Sequence, residues 1–139
     1  MAGLRRRARA IALQALFEVD CVAHDPEETL ARLEEEASLP EEGVLFAREL
    51  VAGVLTNRER IDNIIQTYAP AWPVAQLPGV DRNILRLAIF EILINNRVPV
   101  KAAINEAVEL AKTFGSDSSP KFVNGVLGTV SGRLTRERR

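Results

Sequence analysis

Four arginines, Arg5, Arg6, Arg7 and Arg9, crowd the first nine residues, and no acid appears before Glu18. A guanidinium is a permanent cation whose planar fork of donors matches the oxygens of phosphates and carboxylates, so such a cluster suits a polyanion. A solvated, frayed tail has the same composition. The charge elsewhere makes the cluster stand out. Residues 1–9 carry +4, residues 10–56 carry −9 from two basic against eleven acidic side chains, and residues 57–139 carry +4, in a chain of net charge −1. This separation fits a basic surface that takes a polyanion on a body with an acidic face, and it leaves the polyanion unnamed.

Other chemistry is sparse. His24 is the single histidine and stands beside Asp25 in a polar connection, the setting of a solvated linker residue rather than a general base. Cys21 is the single cysteine, so it can form no internal disulfide and, with one histidine, no zinc-ligand set. The segment "NGVLGTVSG" lies within a helical pattern and follows no strand, so Gly125 and Gly128 are expected to permit close helix packing rather than to cradle a phosphate. Glu34, Glu35 and Glu36 read as a solvated helix face. These features predict a protein that is not an enzyme and uses no metal or cofactor. No apolar run approaches the roughly 20 residues that span a bilayer, and the arginine-rich start leads into an amphipathic segment, so no membrane role and a cytoplasmic location are expected.

A chain of 139 residues, 47% of them apolar, has the size of one compact domain with a real core. Apolar residues recur at three and four, and strand-like β-branched runs are missing. Ala8, Ile11, Ala12, Ala15, Leu16 and Val19 form one stripe on a first helix. Asp25, Pro26 and Glu28 announce a second with capping-box spacing, and Ser38, Pro40 and Glu41 repeat the device for a third, which continues or bends near Asn57. Pro70, Pro73 and Pro78 exclude helix interior. Asp81 is placed to cap "RNILRLAIFEILI", apolar all round except for Arg86 and Glu91 and so expected as a buried central helix. A further helix ends at Lys112 and Gly115. Ser119 and Pro120 start the last, with Val123, Val126, Leu127, Val130 and Leu134 on one face. The fold class predicted is all-α: a compact bundle of six or seven helices in two packed halves, about 1–69 and 79–139, joined at a proline-rich seam, 70–78.

The first helix decides what the arginines can do. At about 100° per residue, Arg6, Arg9, Leu13 and Phe17 point away from the apolar stripe. Phe17 is then either exposed, as a stacking platform or an anchor for a protein partner, or packed beneath the second helix.

"RRRARAIALQALFEVD", "LRLAIFEIL", "VKAAINEAVELAKTFG" and "KFVNGVLG" fall in an order and spacing that resembles the NusB family of bacterial transcription antitermination factors, over nearly the whole chain. The resemblance implies an all-helical RNA-binding protein of two subdomains. NusB proteins bind the single-stranded boxA element of nascent RNA jointly with NusE, a protein of the small ribosomal subunit. They join other Nus factors and RNA polymerase, and support ribosomal RNA transcription. By this likeness Arg5, Arg6, Arg7 and Arg9 match the family's RNA-binding arginines, and Lys121 and Phe122 match its RNA-facing patch. Tyr68 and Phe114 are further candidates for that surface, and Phe17 and Asp81 match positions that face NusE. The residues themselves leave Asp81 equally a helix cap and Phe122 equally core. Gly128 stands where the family commonly has an acid, Ser118 and Pro120 alter the loop before Lys121, and Phe17 replaces a common tyrosine. The alternatives are a helical protein-interaction module, or the detached front domain of a ribosomal RNA methyltransferase, which begins with the same helical module.

Overall fold

The computed structural model describes residues 2–137, with side chains from 3 to 133. Within them the chain forms seven α-helices, one 3-10 turn and one π-helical turn, with no strand. It divides into two compact units, Met1–Thr56 and Asn57–Arg139, so the proline-rich stretch expected as a seam lies inside the second unit.

The first unit contains α1 (Ala2–Cys21), α2 (Pro26–Ala37) and α3 (Glu41–Thr56). Both α2 and α3 pack on α1. This two-sided packing explains a departure from the helical projection: Leu13 and Arg9, expected opposite the core stripe, are 2% and 4% exposed, while Phe17 and Val19 are both half-buried. Periodicity locates one partner, and a helix held between two partners buries more than one stripe.

Asp25 caps α2 as expected, its carboxylate accepting from the Glu28 amide at 3.0 Å with Pro26 in the first turn. Ser38 does not repeat the device. It takes the left-handed conformation (φ 50°) at the end of α2, its amide donating to the Glu35 carbonyl and the Leu39 amide to that of Glu34. That pair of bonds is a Schellman turn, and the buried Leu39 supplies its apolar contact. The closing turn brings α3 back so tightly that a Cβ on Gly43 would lie 2.9 Å from both Leu39 Cγ and Leu4 Cδ1. Leu4 is thereby seated on α3, which docks the first turn of α1.

The second unit contains α4 (Arg58–Tyr68), a 3-10 turn (Val74–Gln76), α5 (Gly79–Ile89), a π-helical turn (Phe90–Asn95), α6 (Val100–Phe114) and α7 (Ser119–Glu137). The buried centre is α5, which packs on α4, α6 and α7. Its one buried arginine, Arg86, is held by Asp62 of α4 in a two-point pair, Nε to Oδ1 at 2.8 Å and Nη2 to Oδ2 at 2.9 Å, the geometry that makes burial of a guanidinium tolerable. Asp81 is not the cap of α5. The helix starts two residues earlier, after Pro78, with no side-chain cap bond, and the Asp81 carboxylate turns instead to α7, accepting from Ser119 Oγ at 2.7 Å.

The last helix starts at Ser119 as expected, and Val123, Val126, Leu127 and Val130 are buried; the side chain of Leu134 lies outside those described. The expected role of Gly125 and Gly128 is not found. A Cβ at either, or at Gly132, would have nothing within 4 Å, because these glycines sit on the side of α7 turned away from α5 and α6.

Candidate nucleic-acid interface

The arginines of the first unit are organised by the two helices beneath them. Arg5 and Arg9, one turn apart on α1, converge on one aromatic ring of α3: their guanidinium carbons lie 4.8 and 5.2 Å from the centroid of Phe46. The negative face of a ring attracts each cation. Arg7 Nη2 donates to the carbonyl of Ala37 at 2.9 Å, the last residue of α2, where helix carbonyls lack intrahelical partners and the macrodipole is negative. Arg5, Arg6 and Arg7 are exposed. Arg9 is buried, so its side chain lies beneath that surface. The cluster is therefore a fixed cationic surface on a docked helix.

Farther along α1, Phe17 is half-buried, and Glu18, next to it in the chain, is paired. Glu18 pairs with His24, Nδ1 lying 2.8 Å from Oε1, and with Arg32. Together with Asp25, Glu28 and Thr29 these side chains line a cavity of about 430 Å3. Arg48 of α3 reaches Glu27 at 2.9 Å and Glu34 at 3.0 Å on α2. Those two bonds, Glu27 first, raise its affinity for its proton above the ordinary arginine value. Of the three consecutive glutamates only Glu35 and Glu36 form an exposed face.

In the second unit the start of α7 is held by a short chain of hydrogen bonds. Ser119 Oγ donates to Asp81 and accepts from the Ser116 amide at 2.9 Å. The loop is tight: a Cβ on Gly115 would lie 2.6 Å from Ser119 Cβ. Lys121 is exposed in the first turn of the helix, and Phe122 is half-buried, T-shaped with Trp72 with centroids 5.7 Å apart and planes at 82°. Phe114 is 41% exposed at the end of α6, on the other side of this loop from Lys121. Tyr68 is half-buried at the end of α4, where its carbonyl accepts from Arg133 Nη1 at 3.4 Å, about three turns down α7 from Phe122. Lys121 and Phe122 are thus neighbours, whereas Tyr68, on α4, meets a later part of α7 through Arg133. Asp81 is 6% exposed, its carboxylate engaged by Ser119.

Two residues that organise these surfaces escaped the sequence reading. Trp72 carried a signal, the chain's single tryptophan in a proline-broken segment that cannot be helix interior. Phe46 carried none, since a half-buried aromatic on an amphipathic helix looks like ordinary core until the arginines of another helix are placed over it.

The fold and these surfaces define an all-helical protein that presents fixed cations on one unit and a lysine–aromatic pair at a helix start on the other. Among the described residues no cluster of His, Cys, Asp and Glu could hold a metal ion, and no helix is long and apolar enough to cross a membrane. The NusB family model matches residues 6–132. Transcription antitermination protein NusB of Roseiflexus sp. (strain RS-1) is 58% identical over 141 residues, covering 100% of this chain and 99% of that protein. The solved structure of T. maritima NusB is similar with a TM-score of 0.84 at 36% identity, over 92% of this chain and 90% of that one. A crystal structure of antitermination factors NusB and NusE in complex with dsRNA matches with a TM-score of 0.85 at 28% identity, over 94% and 97%. The chain belongs to the NusB family.

Proposed function

We propose that this protein is a non-enzymatic RNA-binding adaptor of transcription antitermination, which takes boxA-type single-stranded RNA jointly with NusE and supports ribosomal RNA transcription. It does so within a larger complex of other Nus factors and RNA polymerase. The observation that carries this reading is the docked arginine surface: exposed guanidiniums of Arg5, Arg6 and Arg7 on a helix anchored by Leu4, with Phe46 and the Ala37 carbonyl holding two of them. Such a surface attracts phosphates without reading sequence. Lys121 adds a cation on the second unit, and Phe122, Phe114 and Tyr68 offer aromatic faces to unstacked bases. Phe17 is assigned as the NusE anchor. Asp81 belongs to the NusE-facing set with a role that runs through the α7 start held by its bond to Ser119.

The test is a titration of labelled RNA with and without NusE, using a boxA single strand, a scrambled single strand and a duplex of the same length. The reading expects the boxA strand to bind most tightly and NusE to strengthen that binding. The family's solved complex of NusB and NusE contains double-stranded RNA, so preference for the duplex would keep the arginine surface and overturn the single-strand assignment. Absence of binding to any RNA at modest salt would favour the protein-interaction module.

A further inference from the structure

The ring of Phe46 holds two like-charged side chains one helical turn apart, a spacing at which bare cations repel. One of them, Arg9, is 4% exposed, while the other, Arg5, is open to solvent. Both guanidiniums lie within 5.2 Å of the ring centroid, so the quadrupole of a single ring attracts two long side chains at once. An arginine that must be ordered by its ligand loses rotamer freedom on binding, and one already ordered does not. We infer that Phe46 is the positioning residue of the arginine surface: it pre-orders Arg5 for a phosphate. This rests on the reading that the arginines take RNA. Phe46 itself touches no ligand in this scheme, and its contribution passes through the arginines.

Such a role has a signature that lost packing lacks. Replacing Phe46 by Leu keeps apolar bulk and removes the aromatic face; the number of cations is unchanged. Affinity for a fluorescein-labelled boxA single strand should fall about five-fold, while the slope of log affinity against log salt stays as in wild type. Arg5→Ala, by contrast, should flatten the slope by about 0.7. Phe46→Tyr, which keeps the ring, should restore wild-type affinity. In an Arg5→Ala background, Phe46→Leu should cost less than two-fold, because the residue it positions is gone. A Phe46→Leu protein that folds and binds RNA as well as wild type, while Arg5→Ala is weakened, overturns the inference and leaves the reading of the arginines standing. Wild-type binding by an Arg5→Ala, Arg6→Ala, Arg7→Ala variant overturns that reading itself. Should Phe46→Leu fail to fold, NMR of the wild-type chain decides. The side-chain protons of Arg5 must carry an upfield ring-current shift and must move on addition of the same RNA; resonances at ordinary positions, or unmoved by RNA, overturn the proposal.

Discussion

The arginine surface of the first unit and the Lys121–Phe122 surface of the second use an aromatic ring in opposite ways. On the first, Phe46 lies beneath two guanidiniums and presents cations outward. On the second, Phe122 packs T-shaped with Trp72, and the half-buried ring stands beside an exposed lysine. A charge held in place acts on any phosphate and loses strength with salt. A half-buried ring can offer stacking only through the part left open, and that term is nearly indifferent to salt. The difference teaches that the first surface should supply most of the affinity and its salt dependence, and the second a smaller contribution that favours unpaired bases.

The largest expected effect breaks the first surface. Replacing Arg5, Arg6 and Arg7 by Ala removes three phosphate contacts, which should flatten the salt slope by about 2 and lower RNA affinity about a hundredfold near 0.1 M salt. Circular dichroism should show little loss of helix, since Leu4 still seats the first turn on α3. Unchanged affinity and slope in this variant would return the arginines to the status of a solubilising tail.

Next comes the separation of partner from RNA. Phe17→Asp should abolish NusE capture, because a desolvated aromatic anchor contributes more than about 2 kcal/mol, while binary RNA binding stays within two- to three-fold of wild type. The additional RNA affinity conferred by NusE should vanish as well, since coupling between two ligands is reciprocal. NusE pull-down and RNA titration of the same preparation check this. Normal NusE binding by Phe17→Asp would move the partner surface elsewhere.

The second surface predicts less. Phe122→Ala should weaken binding to the single strand by roughly 1 kcal/mol, the low end of base–aromatic stacking, because the ring is half-covered. The salt slope should not change. Anisotropy titrations at three salt concentrations separate this outcome from loss of a charge, and a steep fall in melting temperature with RNA binding intact would place Phe122 among purely structural residues.

The smallest effect contrasts two glycines of the second unit. Gly128→Ala should stabilise the protein by about 0.5–1 kcal/mol, since alanine is the better helix former and a Cβ there meets nothing within 4 Å. Gly115→Ala should destabilise it, since its Cβ would lie 2.6 Å from Ser119 and would displace the loop before Lys121. Thermal melts read both. A Gly115→Ala protein that melts as wild type would mean the loop relaxes freely and does not set the start of α7.

Much of this architecture is written locally. The cap of α2 by Asp25, the stops at prolines, the burial of α5 all round and the start of α7 at Ser119 each depend on residues within a few positions of one another, and each was legible from spacing alone. The arginine cluster was equally legible as charge. Its order was not, because the groups that hold it, Phe46 and the Ala37 carbonyl, are 37 to 41 and 30 residues away in the chain from Arg9, Arg5 and Arg7 respectively. The same limit explains the departures. A helical projection gives direction about one axis but not the number of neighbours, so Leu13 and Arg9 are buried although they point away from the apolar stripe. A short polar side chain near a helix end has several bonds within reach: Ser38 closed the helix before it, and Asp81 left its own helix end for Ser119. Glycines in a helix invite either close packing or open space, and only the position of α5 and α6 on the opposite side of α7 settled that Gly125 and Gly128 face the open. Local hydrogen bonding and periodicity therefore determined the elements, while the choice among competing partners waited for tertiary packing to bring distant groups within bonding distance.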